Sequence, residues 1–413
     1  MILAPPERER RVVTVRVSVM FAAIFFVTGN SVPYLPVWLA WRQLTAPEIA
    51  IISACPLFVR VLLTPLIAFA ADRRGDHQRV LILLAWAAVA SQLLLARSEG
   101  FYPILLACLL LAVAWTSITP LAEAIAVEAM RAVRLDYGRM RLWGSISFTA
   151  AALAGGWLIE HRSPQALFWL LIGGSIVLAG AAHQVAGPAP ASRPHRPRAG
   201  ARLSARAVAA LLGSRQFLLF LLAAGAIQAA HAAFYTFGTL HWNALGISTL
   251  VAGQLWSVGI AAEILVFAYS AALIRHVGPN AFLVIAAASA VTRWTAMAFD
   301  PPVWLLYALQ TLHGLTFGAT HVGAIHVLAR LAPPTQGGTA QALYAAVASG
   351  ILLGGATLVA GPLYAAYGAG AYLAMAMLAG VGFFAALGLA RMPEPAAGPR
   401  RLAASRPAED LDA

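Results

Sequence analysis

Gly187-Pro188-Ala189-Pro190-Ala191-Ser192-Arg193-Pro194-His195-Arg196-Pro197-Arg198 interrupts a chain that is otherwise overwhelmingly apolar. Prolines that lack backbone N–H groups, set among permanently charged arginines, suit neither lipid nor a packed core. The stretch reads as a basic, Pro-rich linker over residues 186–215. It separates an N-terminal part, 1–185, from a C-terminal part, 216–391, with a tail at 392–413.

Outward from this break, each part contains six apolar stretches near the roughly 20 residues that carry a helix across a bilayer. In the first part they fall near 17–39, 48–71, 79–97, 102–129, 141–159 and 165–184. In the second they fall near 216–240, 250–274, 280–299, 303–329, 339–366 and 369–390. Hydrophobic residues make up 61% of the chain and charged ones 11%, with a mean hydropathy of +0.77. A soluble domain carries roughly a quarter charged residues. The expectation is an all-α membrane protein of about 12 transmembrane helices in two pseudo-symmetric six-helix bundles.

The net charge of +12 raises nucleic acid as a partner, but the placement of the arginines excludes it. There is no lysine. With the N-terminus inside, the arginines at 8–16, 73–79, 131–141, 193–215, 275, 330 and 391–406 all fall on the cytoplasmic side. The opposite loops hold only Arg42, Arg97 and Arg162. That asymmetry is the positive-inside pattern, which places both termini in the cytoplasm. The first apolar segment is too long for a cleavable signal peptide and lacks a small-residue cleavage pattern. Cys55 and Cys108 lie within spans and read as small apolar fillers rather than as a disulfide.

The two parts look like copies of one another. Tyr34, Trp41 and Leu44 match Tyr235, Trp242 and Leu245 at a constant offset of 201, as Leu142-Trp143 matches Leu343-Tyr344. Glu123 and Glu128 match His321 and His326 at an offset of 198. Paired halves with a site between them at the midplane are a transporter plan.

Ionisable groups inside the spans locate the mechanism, because each costs about 2.5–3.5 kcal/mol even on the lenient insertion scale. Five stand out: Arg60, Glu123, Glu128, Glu263 and Arg293. Arg60 lies 12 residues from both Glu48 and Asp72, or about 18 Å of helix from either end. Glu128, near Arg131 at a span end, reads as structural. His313 and His321, eight residues apart, share a broad helical face about 80° wide. Two readings stay open for these groups. One is a set of buried ion pairs, Glu263 with Arg293 and Glu123 with Arg60 or Arg141. The other is a proton and solute relay, for which imidazole is suited by its near-neutral titration. No metal site and no catalytic nucleophile motif are expected, and no cofactor.

The loop Ala71-Asp72-Arg73-Arg74-Gly75-Asp76 with Arg79 resembles the signature loop of the major facilitator superfamily. The resemblance implies a conformational latch at Asp72, Arg73 and Gly75; the counterpart around Arg275, His276 and Gly278 lacks the Asp. Leu135-Asp136-Tyr137-Gly138-Arg139-Met140-Arg141-Leu142-Trp143-Gly144-Ser145 is similar to a segment of the bacterial 3-phenylpropionic acid transporters. So are Gln228-Ala229-Ala230-His231-Ala232-Ala233-Phe234-Tyr235 and Leu255-Trp256-Ser257-Val258-Gly259. That group stands near the oligosaccharide and nucleoside proton symporters.

The resemblance implies alternating access in a bacterial inner membrane by a functional monomer, with protons and a small organic solute as partners. The solute it suggests is an aromatic carboxylate. Substrate-binding residues by this comparison are Arg60, Glu123, Arg141, Phe148, Gln228, His231 and Tyr235, with Tyr34, Trp38 and Trp256 along the path. Proton coupling falls to Glu263, Arg293, His313 and His321. Glu123 and Arg141 repeat the 18-residue spacing of the sugar-holding pair in lactose permease, whereas that protein's proton-carrying carboxylate is replaced here by Thr316. Arg60 departs from the lactose permease pattern and matches the phenylpropionate type; a guanidinium takes a carboxylate bidentately. Alternatives are a sugar or nucleoside symporter, an exporter with the same parts, and a polytopic membrane enzyme, for which no catalytic cluster or large loop is visible.

Overall fold

The computed structural model describes residues 7–74, 76–133, 137–185, 205–333 and 336–393. Twelve membrane segments follow in order. The first six are α1 (Glu7–Trp41), α2 (Ala46–Arg74), α3 (His77–Arg97), α4 (Phe101–Trp115 continuing as Ile118–Val133), α5 (Tyr137–His161) and α6 (Leu167–Gln184). The second six are α7 (Arg215–Ala229 continuing as Ala232–Ala244), α8 (Thr249–Val277), α9 (Pro279–Met297), α10 (Val303–Thr311 through Thr320–Leu331), α11 (Gly337–Tyr344 through Leu353–Tyr367) and α12 (Ala371–Ala390). A short helix, Ala205–Leu212, leads into α7. Among the described residues all regular structure is helical, as a bilayer demands, since a helix satisfies its own backbone groups.

Nine stretches among the described residues are long and apolar enough to cross a membrane. One of them, Gly337–Ala390, contains both α11 and α12. α9 and α10 fall outside this group. α9 carries Arg293, and α10 carries His313, His321 and His326, which lower its hydropathy; it also holds a π-helical stretch, Gly314–Ala319. A second π-helix, Ala345–Leu352, interrupts α11, and α7 breaks at Ala230 and His231. Wide turns of this kind leave carbonyls without their usual partners and cluster at functional sites.

The hydrophobic core shows how the halves meet. At the face opposite the chain termini one cluster draws on both halves, joining Tyr34, Trp38, Ile49 and Phe168 to Phe234, Trp242, Leu255 and Trp294. Toward the termini it forks. One branch, with Val17, Phe21, Leu81 and Leu178, belongs to the first half. The other, with Phe217, Phe220, Val327 and Leu389, belongs to the second. A cleft therefore opens on the side of the termini.

Two seams close the opposite face, α5 against α8 and α2 against α11. Glycines permit the approach. A Cβ on Gly156 would lie 2.6 Å from the Thr249 carbonyl, and one on Gly253 would lie 2.7 Å from the Tyr34 hydroxyl. Along α2, a Cβ on Gly354 would strike the Phe58 ring at 2.8 Å. Small residues let membrane helices close to backbone contact, where dispersion replaces the missing hydrophobic drive. The Tyr34 hydroxyl donates to the Ala152 carbonyl, and Trp38 Nε1 donates to Gln165 Oε1 at 2.8 Å. Tyr34 and Trp38, expected along the solute path, thus pack into the closed face.

Candidate functional site

Arg141 stands at the centre of the cleft's charged groups. It sits at the start of the second helical turn of α5, and its guanidinium lies 3.9 Å from the centroid of the Phe25 ring of α1. Gly144 makes this possible: a Cβ there would meet the Phe25 ring at 2.8 Å and Arg141 Nη1 at 3.1 Å. Ser147 Oγ donates to the Ala22 carbonyl at 2.7 Å and fixes α5 on α1 one turn further on. Arg141 lies within electrostatic reach of Glu123 in its own half and of Glu263 and His321 in the other. Arg60 is solvent-open and within reach of Glu123. The structure thus gathers Arg60, Glu123, Arg141, Glu263 and His321 from α2, α4, α5, α8 and α10. Glu123 and His321, which match at an offset of 198 in the sequence, are both within electrostatic reach of Arg141.

Behind Glu263 lies a second, buried cluster in the C-terminal half. Arg293 is fully buried, and among the described residues no carboxylate is in hydrogen-bond contact with it. Its Nη2 donates to Gln310 Oε1 at 2.7 Å, and its Nη1 donates to His313 Nδ1 and to Thr316 Oγ1, each at 3.1 Å. The Phe234 and Trp294 rings flank the guanidinium at 4.8 and 4.5 Å. A buried cation is tolerated only when its donors are used and polarisable faces surround it. The expected Glu263–Arg293 ion pair is therefore not a direct one. His313 stands between, with its Nε2 3.7 Å from Glu263 Oε2.

The donors fix the tautomers. A guanidinium only donates, so His313 Nδ1 is an acceptor and its proton sits on Nε2, facing Glu263. His231 Nδ1 faces two carbonyls, those of Ile227 at 3.0 Å and Gln228 at 3.2 Å, so this nitrogen carries the proton. His231 Nε2 then accepts from the Thr316 hydroxyl, 3.1 Å away.

The remaining predicted residues are placed as follows. His231 is fully buried beneath Thr316. Tyr235 is half-buried, stacked on His231 and Trp256. Gln228 gives its main-chain carbonyl to the His231 ring. Phe148 is buried, its backbone pressed against Gly29 of α1. His313 and His321 do share a face, but the π-helical turns insert Phe317 as a stacked ring between them. His326 bonds its own helix at the Val322 carbonyl. Of the expected latch, Gly75 and the side chains of Asp72 and Arg73 lie outside the described residues, as does the Glu128 side chain. Phe25 and Gln310 carry no charge or motif, and Gly144 enters the sequence reading only as part of the segment 135–145 with no role of its own, although each positions an arginine.

Residues 14–374 match the MFS_1-like family. The chain is 32% identical over 348 residues to a probable 3-phenylpropionic acid transporter of Escherichia coli, covering 82% of this chain and 87% of that one. It is 31% identical over 352 residues to the maltose permease of Geobacillus stearothermophilus, covering 82% and 85%. In fold it is similar to the crystal structure of the nucleoside transporter NupG, with a TM-score of 0.76 at 16% identity over 92% of this chain and all of that one. A bacterial homologue of the lysosomal transporter Spinster, in an inward-facing and unoccupied conformation, gives 0.70 at 12% identity over 94% and 98%. Twelve helical segments in two related halves, with charged groups gathered in a cleft between them, fit these likenesses, and the chain belongs to the MFS_1-like family of major facilitator transporters.

Proposed function

We propose that this transporter imports a small organic monoanion together with a proton, and that the solute is an aromatic carboxylate of the 3-phenylpropionate type. The charges of the cleft carry the reading. Arg60 and Arg141 stand against Glu123 and Glu263, with the buried Arg293 behind. Three cations against two carboxylates leave one positive charge for a monoanion to balance. Arg60, within electrostatic reach of Glu123, is the fork for the solute carboxylate. The half-buried rings of Phe25, Tyr235 and Phe317 lie near the charged groups and offer faces for an aromatic body.

Glu263 is the proton carrier in this reading. It replaces the carboxylate missing at Thr316, since His313 is held neutral by Arg293 on one side and presents an N–H on the other. With the termini in the cytoplasm, as the arginine distribution supports, the open cleft faces the cytoplasm and the glycine seams close the periplasmic side. Alternating access then consists of opening those seams while the fork in the core closes.

The deciding experiment is uptake of labelled 3-phenylpropionate into proteoliposomes under an inward proton gradient. Uptake above empty liposomes is expected, abolished by a protonophore and lowered at least about tenfold in Arg60→Ala, as loss of a bidentate charged contact implies. Wild-type uptake equal to that of empty liposomes overturns the aromatic-acid assignment. A sugar or nucleoside symporter is the second reading, favoured by the Glu123–Arg141 proximity and by the maltose permease relative. It predicts uptake of those solutes that survives Arg60→Ala and fails in Arg141→Ala.

A further inference from the structure

α7 is two helices, and its break falls at a residue tied into the charge network. Arg215–Ala229 ends, Ala230 and His231 bridge, and Ala232–Ala244 begins. The second piece packs against α1 of the other half at the closed face. His231 donates its Nδ1–H to the Ile227 and Gln228 carbonyls at the break, and its main-chain N–H also turns back to the Gln228 carbonyl at 3.1 Å. Its Nε2 takes the single hydroxyl proton of Thr316. The Thr316 oxygen in turn accepts from Arg293, and Arg293 donates to His313, whose Nε2–H faces Glu263.

Each member of this chain has one orientation open to it. Arg293 cannot accept a hydrogen bond, and Thr316 has only one proton to give. Its other acceptor, the His313 carbonyl, is farther off at 3.5 Å. A second proton on His231 would set an imidazolium and a guanidinium on the same hydroxyl oxygen, both fully buried.

We propose that His231 is a positioning residue of the transport cycle. Through the Thr316 hydroxyl it holds Arg293 against His313, and at the same time it pins the α7 break that carries the closed face. The charge on Glu263 is thereby linked to the seam between the halves. This rests on the reading above, that Glu263 changes charge during transport. The groups facing Glu263 are Arg141 from α5, Tyr235 from α7 and His313 from α10, with Arg293 of α9 behind His313; Arg141 is shared with Glu123 of α4 and His321 of α10.

The test uses the full chain in nanodiscs, with Cys55 and Cys108 replaced by alanine and spin labels at His161 and Ile247, across the α5–α8 seam. Nitrogen-15 NMR of labelled histidines comes first. One ring, identified by its loss in His231→Phe, is expected to be neutral with its proton on Nδ1. Its Nε2 signal shifts in Thr316→Val and returns in Thr316→Ser. The label distance is then followed from pH 8 to pH 5. Wild type is expected to change its distance distribution, while Thr316→Val moves the midpoint by about one pH unit. Thr316→Ser restores the midpoint, and the Thr316→Val/His231→Phe double variant adds nothing to either single one. A wild-type seam that responds to pH with an unaltered midpoint in Thr316→Val overturns the proposal and leaves the proton reading standing. A proton on Nε2 of His231 in wild type also overturns it. A wild-type seam indifferent to pH removes the proton reading itself, and this inference with it.

Discussion

At the residue scale the cleft is governed by which cations hold fixed partners. Arg293 directs its two terminal nitrogens to Gln310, His313 and Thr316 and is sealed from solvent. Arg141 keeps one face on Phe25 and addresses carboxylates in both halves. An ammonium at this position would keep the charge but lose the flat face and the fork. Arg141→Lys is expected to lower kcat/KM for uptake by about tenfold or more, read in proteoliposomes, because stacking and bidentate contact are both lost. Glu263→Gln separates binding from coupling. It is expected to keep counterflow of labelled solute within about threefold of wild type while abolishing proton-driven accumulation; accumulation that persists places the proton elsewhere. The charged members of this cluster were legible in the sequence because ionisable groups in lipid carry a cost that selection removes unless they act. Phe25, Gly144 and Gln310 were not, since an aromatic ring, a glycine and an amide cost little in a membrane helix and acquire meaning only from what they touch.

At the element scale, periodicity located the spans but not their irregularities. His313 and His321 sit eight apart, and a uniform helix would place them some 80° around the axis. The π-helical turns at Gly314–Ala319 change that angle and slip Phe317 between the two rings. No letter pattern marks a π-turn, because it arises from a side chain or helix pressing on the ladder from outside. Which glycine meets which helix was not readable along the chain either. Gly253 meets Tyr34 and Ala152, so Gly253→Val is expected to hold the α5–α8 seam open. The spin-label pair at His161 and Ile247 should then lengthen relative to wild type. Gly173→Val, where an added Cβ meets nothing within 4 Å, should leave the distance unchanged.

At the scale of the whole molecule, a charged contact at the closed face binds one half to the other. Glu160, near the end of α5, accepts from the main-chain N–H of Leu250 at 2.9 Å, on the first turn of α8. A carboxylate at a helix N-terminus meets free N–H groups and the positive end of the dipole. This cap crosses between halves, so it exists only while the face is closed. Glu160→Gln is expected to shift the population toward the opened face by about two- to fivefold, read as the weight of the longer label distance at His161 and Ile247. An unchanged distribution would show that the glycine seams alone hold the face.

What the sequence by itself determined was the solvent and the plan. Twelve apolar lengths, arginines gathered on one side and a Pro-Arg interruption between similar halves required a two-bundle membrane protein, because lipid penalises charge and unpaired backbone wherever they occur along the chain. It also singled out Arg60, Glu123, Arg141, Glu263, Arg293 and His313 as ionisable groups within the apolar lengths or at their ends. The tertiary structure alone decided the partners. It set His313 between Glu263 and Arg293 in place of a direct ion pair, gave Thr316 to His231, and moved Tyr34 and Trp38 from the expected path into the closed face. It also decided which end of the molecule is open, through a core shared by both halves at one face and forked at the other. Burial cost is a property of a residue and can be read along a chain. Hydrogen-bond pairing and the meeting of two halves depend on distances between residues hundreds of positions apart, and only the packed helices set those.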